Sequence, residues 1–314
     1  MRKAVLFLAA TMLMAGCSYV VEPGESNEIE SHKIFHATIE ESNGGDSRVF
    51  LDNKVRILWN ANDYISLFEG TTRNKQFVFL GEDGDNAGDF DLYKSGFGTG
   101  NDIDCYYALY PYASTTKYIY GDSEGVADYI RYLMPASQNY KEGSIALNAN
   151  VMVAVTANLD DFDLAFRNVC SFLRVRLYGA DQSVGSIVFT GNNSEVLSGN
   201  MAITPVYGGT PSVRMLGSGT SLTLNCAGGV TIGTTQGEAT EFWLVVPPLN
   251  FPNGFTLTVN GFYGGSQTYT ISNNLTFARN TYNTITRELA IANNSTGMGV
   301  DGWGNGGDEG GSAD

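Results

Sequence analysis

Apolar and polar residues alternate with a period of two through much of the chain, a pattern that predicts strands rather than helices. In residues 171–179, Leu173, Val175 and Leu177 point one way while Arg174 and Arg176 point the other, as in a half-buried strand. Phe255, Leu257 and Val259 alternate with Thr256, Thr258 and Asn260, and Tyr269 and Ile271 alternate with Thr268 and Thr270. Residues 242–246 are continuously apolar, which suits a strand buried on both faces or at a sheet centre. Glycine-bearing turns at 191–193, 208–209, 217–219, 228–229 and 264–265 separate these runs. Short strands with turns at regular spacing predict an all-β chain of antiparallel sandwiches. Helical spacing is confined to Val126, Tyr129, Ile130 and Leu133, where Gly125 and Pro135 limit it to one or two turns. No fixed-period repeat is evident.

A domain boundary falls near residues 160–166. The apolar run 151–155 closes one set of strands, the acidic Asp160-Asp161-Phe162-Asp163 loop follows, and the next strand set opens at Phe166. The expected units are residues 33–163 and 164–292, each about 130 residues and of ordinary domain size. Residues 293–314, rich in Gly, Asn and Asp around a lone Trp303, read as a tail or a weak terminal strand.

The N-terminus carries an address. Arg2 and Lys3 precede an apolar stretch at 4–14, too short to span a bilayer but suited to a secretory signal. It ends in Leu13-Met14-Ala15-Gly16-Cys17, which resembles the bacterial lipobox. The expectation is a signal peptide over 1–16, acylation of Cys17, a polar tether over 17–32, and a lipoprotein of the outer membrane and cell surface.

Composition narrows the chemistry. The 314 residues are 43% hydrophobic, with 17 Tyr, 17 Phe and 3 Trp, enough for a sizeable core. Glycine, at 38 residues, exceeds the average of about 7%, but 8 prolines and no G-X-Y period exclude a collagen. A net charge of −15 argues against a nucleic-acid partner, which needs clustered Lys and Arg. Two histidines, His32 and His36, are poor provision for acid–base or metal chemistry. Beyond Cys17, the cysteines Cys105, Cys170 and Cys226 show no C-x-x-C spacing, so no zinc site is expected, and pairing among them stays open.

Each motif that formally carries chemistry has a plainer reading. Gly121-Asp122-Ser123-Glu124-Gly125 matches G-x-S-x-G, but no histidine follows His36, so a surface turn is expected. The acidic run 82–89 places Asp83, Asp85 and Gly88 at calcium-loop positions, yet Ala87 and Lys94 occupy ligand positions, which favours a solvated hairpin loop. His32 and His36 share a strand face with no further metal ligands nearby. Gly96, Gly98 and Gly100 lack the spacing of a phosphate-binding loop. No enzyme, cofactor or metal is expected.

Several ordered stretches resemble the fimbrillin family of Bacteroidales, the subunits and adhesins of the type V pilus. They are ILWNANDYI at 57–65, YALYPY at 107–112, MPASQNY at 134–140, FRNVC at 166–170, FWLVVPP at 242–248, ARNTY at 278–282 and VDGW at 300–303. The resemblance implies two tandem transthyretin-like Greek-key β-sandwich domains, export as a lipoprotein, and assembly with other fimbrial subunits into a surface filament. It also implies that an Arg-directed protease cuts after the first strand, removing anchor and strand together, and that a neighbour's strand fills the groove. Here that strand is residues 33–39, with Ile34, His36 and Thr38 on one face and Phe35, Ala37 and Ile39 on the core face. Arg48, ending a polar loop, is the cleavage candidate; Arg56 lies inside an apolar run. The tail offers only Met298, Val300 and Trp303 as donor-strand residues, so the donor is short, lies earlier around 282–291, or is missing as in a tip or accessory subunit. The rival expectation is a monomeric glycan-binding lipoprotein anchored through Cys17, with Trp59, Tyr110 or Trp303 as a sugar platform.

Overall fold

Strands form where the alternation places them, and the computed structural model describes residues 33–40, 57–69, 74–96, 103–121, 127–147 and 149–291. In chain order the strands begin with β1 (Phe35–Ile39), β2 (Tyr64–Phe68), β3 (Asn74–Phe79), β4 (Ala87–Lys94), β5 (Tyr107–Tyr110), β6 (Lys117–Ile119) and β7 (Tyr129–Met134). Next come β8 (Ser137–Asn139), β9 (Met152–Val155), β10 (Asp163–Asn168), β11 (Ser171–Tyr178), β12 (Ser183–Gly191), β13 (Gly199–Thr204) and β14 (Ser212–Met215). The last are β15 (Ser221–Thr231), β16 (Thr240–Val246), β17 (Asn250–Phe251), β18 (Phe255–Gly261), β19 (Ser266–Ile271), β20 (Leu275–Thr276) and β21 (Tyr282–Glu288). Among the described residues a single 3-10 turn, Gln236–Glu238, is the one helical element, so this part of the chain is all-β, built of several sheets.

Seven strands close into a barrel in the order β1-β10-β9-β5-β2-β3-β4, with β4 returning to pair with β1. Its interior is aromatic: Phe35, Trp59, Phe77, Phe79, Phe90, Tyr106 and Phe166 pack with Ala37, Ile65, Leu67 and Leu164. Trp59 meets Phe90, Tyr110 and Phe166 edge-on at 5.0–5.3 Å, the geometry that the ring quadrupoles favour.

The second core lies between the sheet β16-β11-β21 and the five-stranded sheet β19-β18-β12-β15-β8. Here the alternation is read directly: Leu173, Val175 and Leu177 face Ile187, Phe189, Leu257 and Val259. Strands β6 to β8 leave the barrel between β5 and β9. β7 pairs with β13, and β8 runs parallel to β15. A third cluster joins these regions, with Ile130, Tyr132 and Met134 of β7 packed among Leu109, Val153, Phe172, Trp243 and Val245.

Three local expectations are revised and a fourth is met. The helical spacing at 126–133 gives way to β7, because Ile130, Tyr132 and Met134 also satisfy a period of two and β6 and β13 supply ladder partners on both sides. Gly228 and Gly229, both at positive φ, sit inside β15 as a bulge rather than a turn. There the register moves from Ser186↔Asn225 to Val184↔Val230, and glycine tolerates the backbone that this requires. β11 is not half-exposed, since Arg174 is 9% exposed beneath Trp243 and Tyr282. β16 meets the first of its two expected placements, buried on both faces, with Phe242, Leu244 and Val246 in one core and Trp243 and Val245 in the other, although it lies at a sheet edge.

Candidate functional site

β1 is the strand on which the barrel closes. It pairs parallel with β10, through His36↔Asp163 to Ile39↔Phe166, and antiparallel with β4, through Phe35↔Phe90 to Thr38↔Ala87. His36 N–H donates to Phe162 O at 2.9 Å, Ile39 N–H to Asn86 O at 3.0 Å, and Glu40 N–H to Phe166 O at 2.9 Å. Removing these five residues would expose two facing rows of unpaired backbone groups, a template for another strand.

The two faces of β1 differ as the alternation predicts. Phe35 and Ala37 are fully buried, and Ile39 packs at the rim of the same core. Phe35 meets Phe77, Tyr106 and Phe162 edge-on at 5.4, 5.0 and 5.5 Å. On the outer face His36 Nδ1 lies 2.9 Å from Asp89 Oδ1, with both side chains about half exposed. Ile34 precedes the strand and is 49% exposed. Lys33 Nζ donates to the Tyr106 hydroxyl at 2.6 Å.

Sequence reasoning missed the residue that directly follows β1. The Glu40 carboxylate sits among two guanidiniums and a backbone N–H. Its Oε1 accepts from Arg279 Nη1 and from Asn168 N–H, and its Oε2 lies 3.3 Å from Arg279 Nη2 and 3.6 Å from Arg167 Nη1. Behind it runs an amide ladder, all but buried, in which Asn150 Nδ2 donates to Asn168 Oδ1 and Asn168 Nδ2 to Asn280 Oδ1, each at 2.7 Å. Asn280 holds φ of 58°, a left-handed conformation that Asn tolerates, and its N–H donates to Cys170 O. One sequence signal pointed here: Phe166-Arg167-Asn168 before β11 is echoed by Phe277-Ala278-Arg279-Asn280 before β21, and β11 and β21 pair in parallel.

The other candidates have structural roles or fall elsewhere. The acidic run is the β3–β4 hairpin loop, where Asp83 Oδ1 accepts from Ala61 N–H and Asp85 Oδ2 from Glu82 N–H. Among the described residues no group of three or more His, Cys, Asp or Glu is placed to hold a metal. Trp59 and Tyr110 are core residues, 1% and 6% exposed, and offer no sugar platform. Cys105, Cys170 and Cys226 are free thiols, and burial pushes those of Cys170 and Cys226 up to about 12. β21 is committed to β11, with Ile285, Leu289 and Ile291 in the core. Cys17, His32, Arg48, Arg56, Trp303 and most of the Gly121–Gly125 motif lie outside the described residues. No helix among the described residues is long and apolar enough to cross a membrane.

No family model matches the chain, and no curated protein matches it. Solved structures are similar to it at low identity. A candidate cell adhesion protein from Bacteroides uniformis is 15% identical, with a TM-score of 0.45 over 83% of this chain and 94% of that one. One from Bacteroides ovatus is 12% identical, with a TM-score of 0.43 over 82% and 92%. The tip fimbrial protein Mfa3 from Porphyromonas gingivalis, truncated at its C-terminus, is 9% identical, with a TM-score of 0.32 over 81% and 93%. These neighbours are cell adhesion and fimbrial proteins of Bacteroidales by description, the group that the sequence resembles. Identities of 9–15% and TM-scores below 0.5 leave function to be argued from the residues.

Proposed function

We propose that this chain is a structural and adhesive subunit of a cell-surface fimbrium, assembled by proteolysis-triggered strand exchange. One observation carries the reading: the first strand, β1, closes the barrel between β4 and β10 and buries Phe35 and Ala37 completely. A strand at the start of the chain, followed by a polar loop ending at Arg48, can leave after one cut without breaking any other connection. The groove left behind offers ladder hydrogen bonds for affinity and apolar pockets for register, which is β-augmentation.

In this reading Cys17 carries the acyl anchor that holds the precursor at the outer membrane. Hydrolysis after Arg48 releases anchor and strand, including Ile34, Phe35, Ala37 and Ile39, and frees the subunit to join other fimbrial subunits. We take the barrel and the two-sheet core as tandem transthyretin-like domains, with the boundary moved from residue 163 to just after β10, whose Leu164 and Phe166 lie in the barrel core, and with β6 to β8 as an excursion of the first onto the sheets of the second. A tip or accessory position suits the chain, because β21 is occupied in the second core. The ligand it meets belongs to host or bacterial surfaces. No catalytic role is proposed.

The test compares unheated and boiled denaturing gels of the purified precursor before and after Arg-specific proteolysis. Release of the first strand with a new N-terminus at Val49 is the expected result, Arg48→Ala is expected to abolish it, and a boil-sensitive ladder would move the chain from the tip to the shaft. A monomer that keeps its first strand after complete digestion would remove strand exchange as the mechanism.

A further inference from the structure

We infer that Arg279, Arg167 and the Asn168 N–H form a carboxylate-recognition site, so that a strand replacing β1 must carry an acidic side chain where Glu40 now sits. This rests on the strand-exchange reading above and adds the chemistry by which the groove selects its occupant. That occupant is an extended segment of another chain with an aromatic residue, a small residue and an aliphatic residue at alternate positions, then an acid.

The receptor half of the site belongs to the part of the chain that stays. Arg279 Nη1 also donates to Asn168 O at 2.7 Å, and the Asn150–Asn168–Asn280 ladder fixes both Arg-bearing segments. Glu40 contributes only the carboxylate, and it lies on the anchor side of Arg48. A cut after Arg48 therefore carries it away. Among the described residues Glu40 is the one carboxylate paired with Arg279 and Arg167. With β1 in place the Glu40 and Arg279 side chains are 15% and 17% exposed and that of Arg167 is 32% exposed, so the Glu40–Arg279 pair meets little water. An empty site is then an electropositive pocket at the end of an apolar groove.

Register makes the site selective. Glu40 N–H donates to Phe166 O, directly after the Ile39↔Phe166 pair, so the acid is placed one residue beyond the last apolar position. A strand slipped by one residue would bring a core-face side chain such as Ile39 to the guanidiniums and turn its apolar residues to solvent. A neutral residue at this position loses charge-assisted hydrogen bonds, and a basic one adds repulsion.

The test uses the full chain nicked by an Arg-specific protease and a fluorescent peptide with the sequence of residues 33–40. A second peptide carries the Glu40→Gln change, and the receptor is used unaltered and as Arg279→Gln. Placing the change in the peptide leaves the folding of the receptor untouched. The unaltered receptor is expected to take up the Glu peptide roughly ten- to hundredfold more tightly than the Gln peptide. The Arg279→Gln receptor is expected to lose that preference. Equal uptake of both peptides by the unaltered receptor overturns the carboxylate site and leaves strand exchange standing. A preference that survives in Arg279→Gln also overturns it, since the acid is then read elsewhere. Uptake of neither peptide overturns the strand-exchange reading and the site with it.

Discussion

Gln138 closes the open edge of β16 through Val245. Its side-chain Oε1 accepts from Val245 N–H at 2.9 Å and its Nε2 donates to Val245 O at 2.7 Å. The Gln138 backbone meanwhile pairs with Leu224 of β15, so one residue joins two sheets, by main chain to one and side chain to the other. This explains how an edge strand as apolar as β16 stays unexposed.

Gln138→Ala is accordingly expected to destabilise the fold by about 2–4 kcal/mol, because it strands two buried backbone groups at roughly 1–3 kcal/mol each. Urea unfolding of the variant beside the parent measures it. A loss under about 0.5 kcal/mol would mean that water reaches the edge of β16.

At the barrel seam, Phe35→Ala is expected to cost about 3–5 kcal/mol, since it removes a fully buried ring touched by three others. His36→Ala, on the outer face of the same strand, is expected to stay within about 0.5 kcal/mol. Equal losses in thermal unfolding would contradict the division of β1 into a core face and a solvent face.

Arg174 lies 5.5 Å from the Trp243 ring and 5.3 Å from that of Tyr282, with its Nε donating to Thr284 Oγ1 and Nη1 3.5 Å from Glu241. Arg174→Lys keeps the charge but loses the planar group that stacks, and is expected to cost about 1–2 kcal/mol. Near-ultraviolet circular dichroism should change with it, as the surroundings of Trp243 alter. An unchanged spectrum and stability would reduce the contact to proximity.

Alkali should weaken the fold before it ionises the folded state. Burial holds the phenols of Tyr107, Tyr132 and Tyr269 up at about 12, against an ordinary 10.0. Between those values the unfolded chain has released protons that the folded chain retains, so stability is full below about pH 10 and falls as pH rises towards 12. Urea midpoints across that range, with phenolate absorbance recorded in parallel, are expected to fall before the buried tyrosines titrate. A midpoint flat to pH 12 would remove these three residues from the pH dependence.

Much of the architecture was legible because burial on one face writes itself as alternation, as in Leu173, Val175 and Leu177 or Phe255, Leu257 and Val259. The core face of β1 was readable for the same reason. β7 was ambiguous because Tyr129, Ile130 and Leu133 fit a helical stripe while Ile130, Tyr132 and Met134 fit a strand, and only its neighbours β6 and β13 decide. The partners of Glu40 were out of reach: Arg279 lies 239 positions away, and the echo of Phe166-Arg167-Asn168 in Phe277-Ala278-Arg279-Asn280 matches two segments without naming the carboxylate between them. Gln138 was hidden because a polar residue in a polar stretch gives no hint that its amide is buried against another strand.

The location of β1 also sets an order of events in time. Its partners are distant in the chain: His36 meets Asp89 at a separation of 53 residues, and Glu40 meets Asn168 at 128 and Arg279 at 239. β1 therefore waits until about half of the chain is made before its parallel neighbour β10 exists, and longer still for Arg279. Closing loops of that length adds entropy only slowly beyond the first few tens of residues, so the delay is kinetic more than energetic. Because β1 contributes only the closing pairs with β4 and β10, its loss leaves the ladders among the other strands in place.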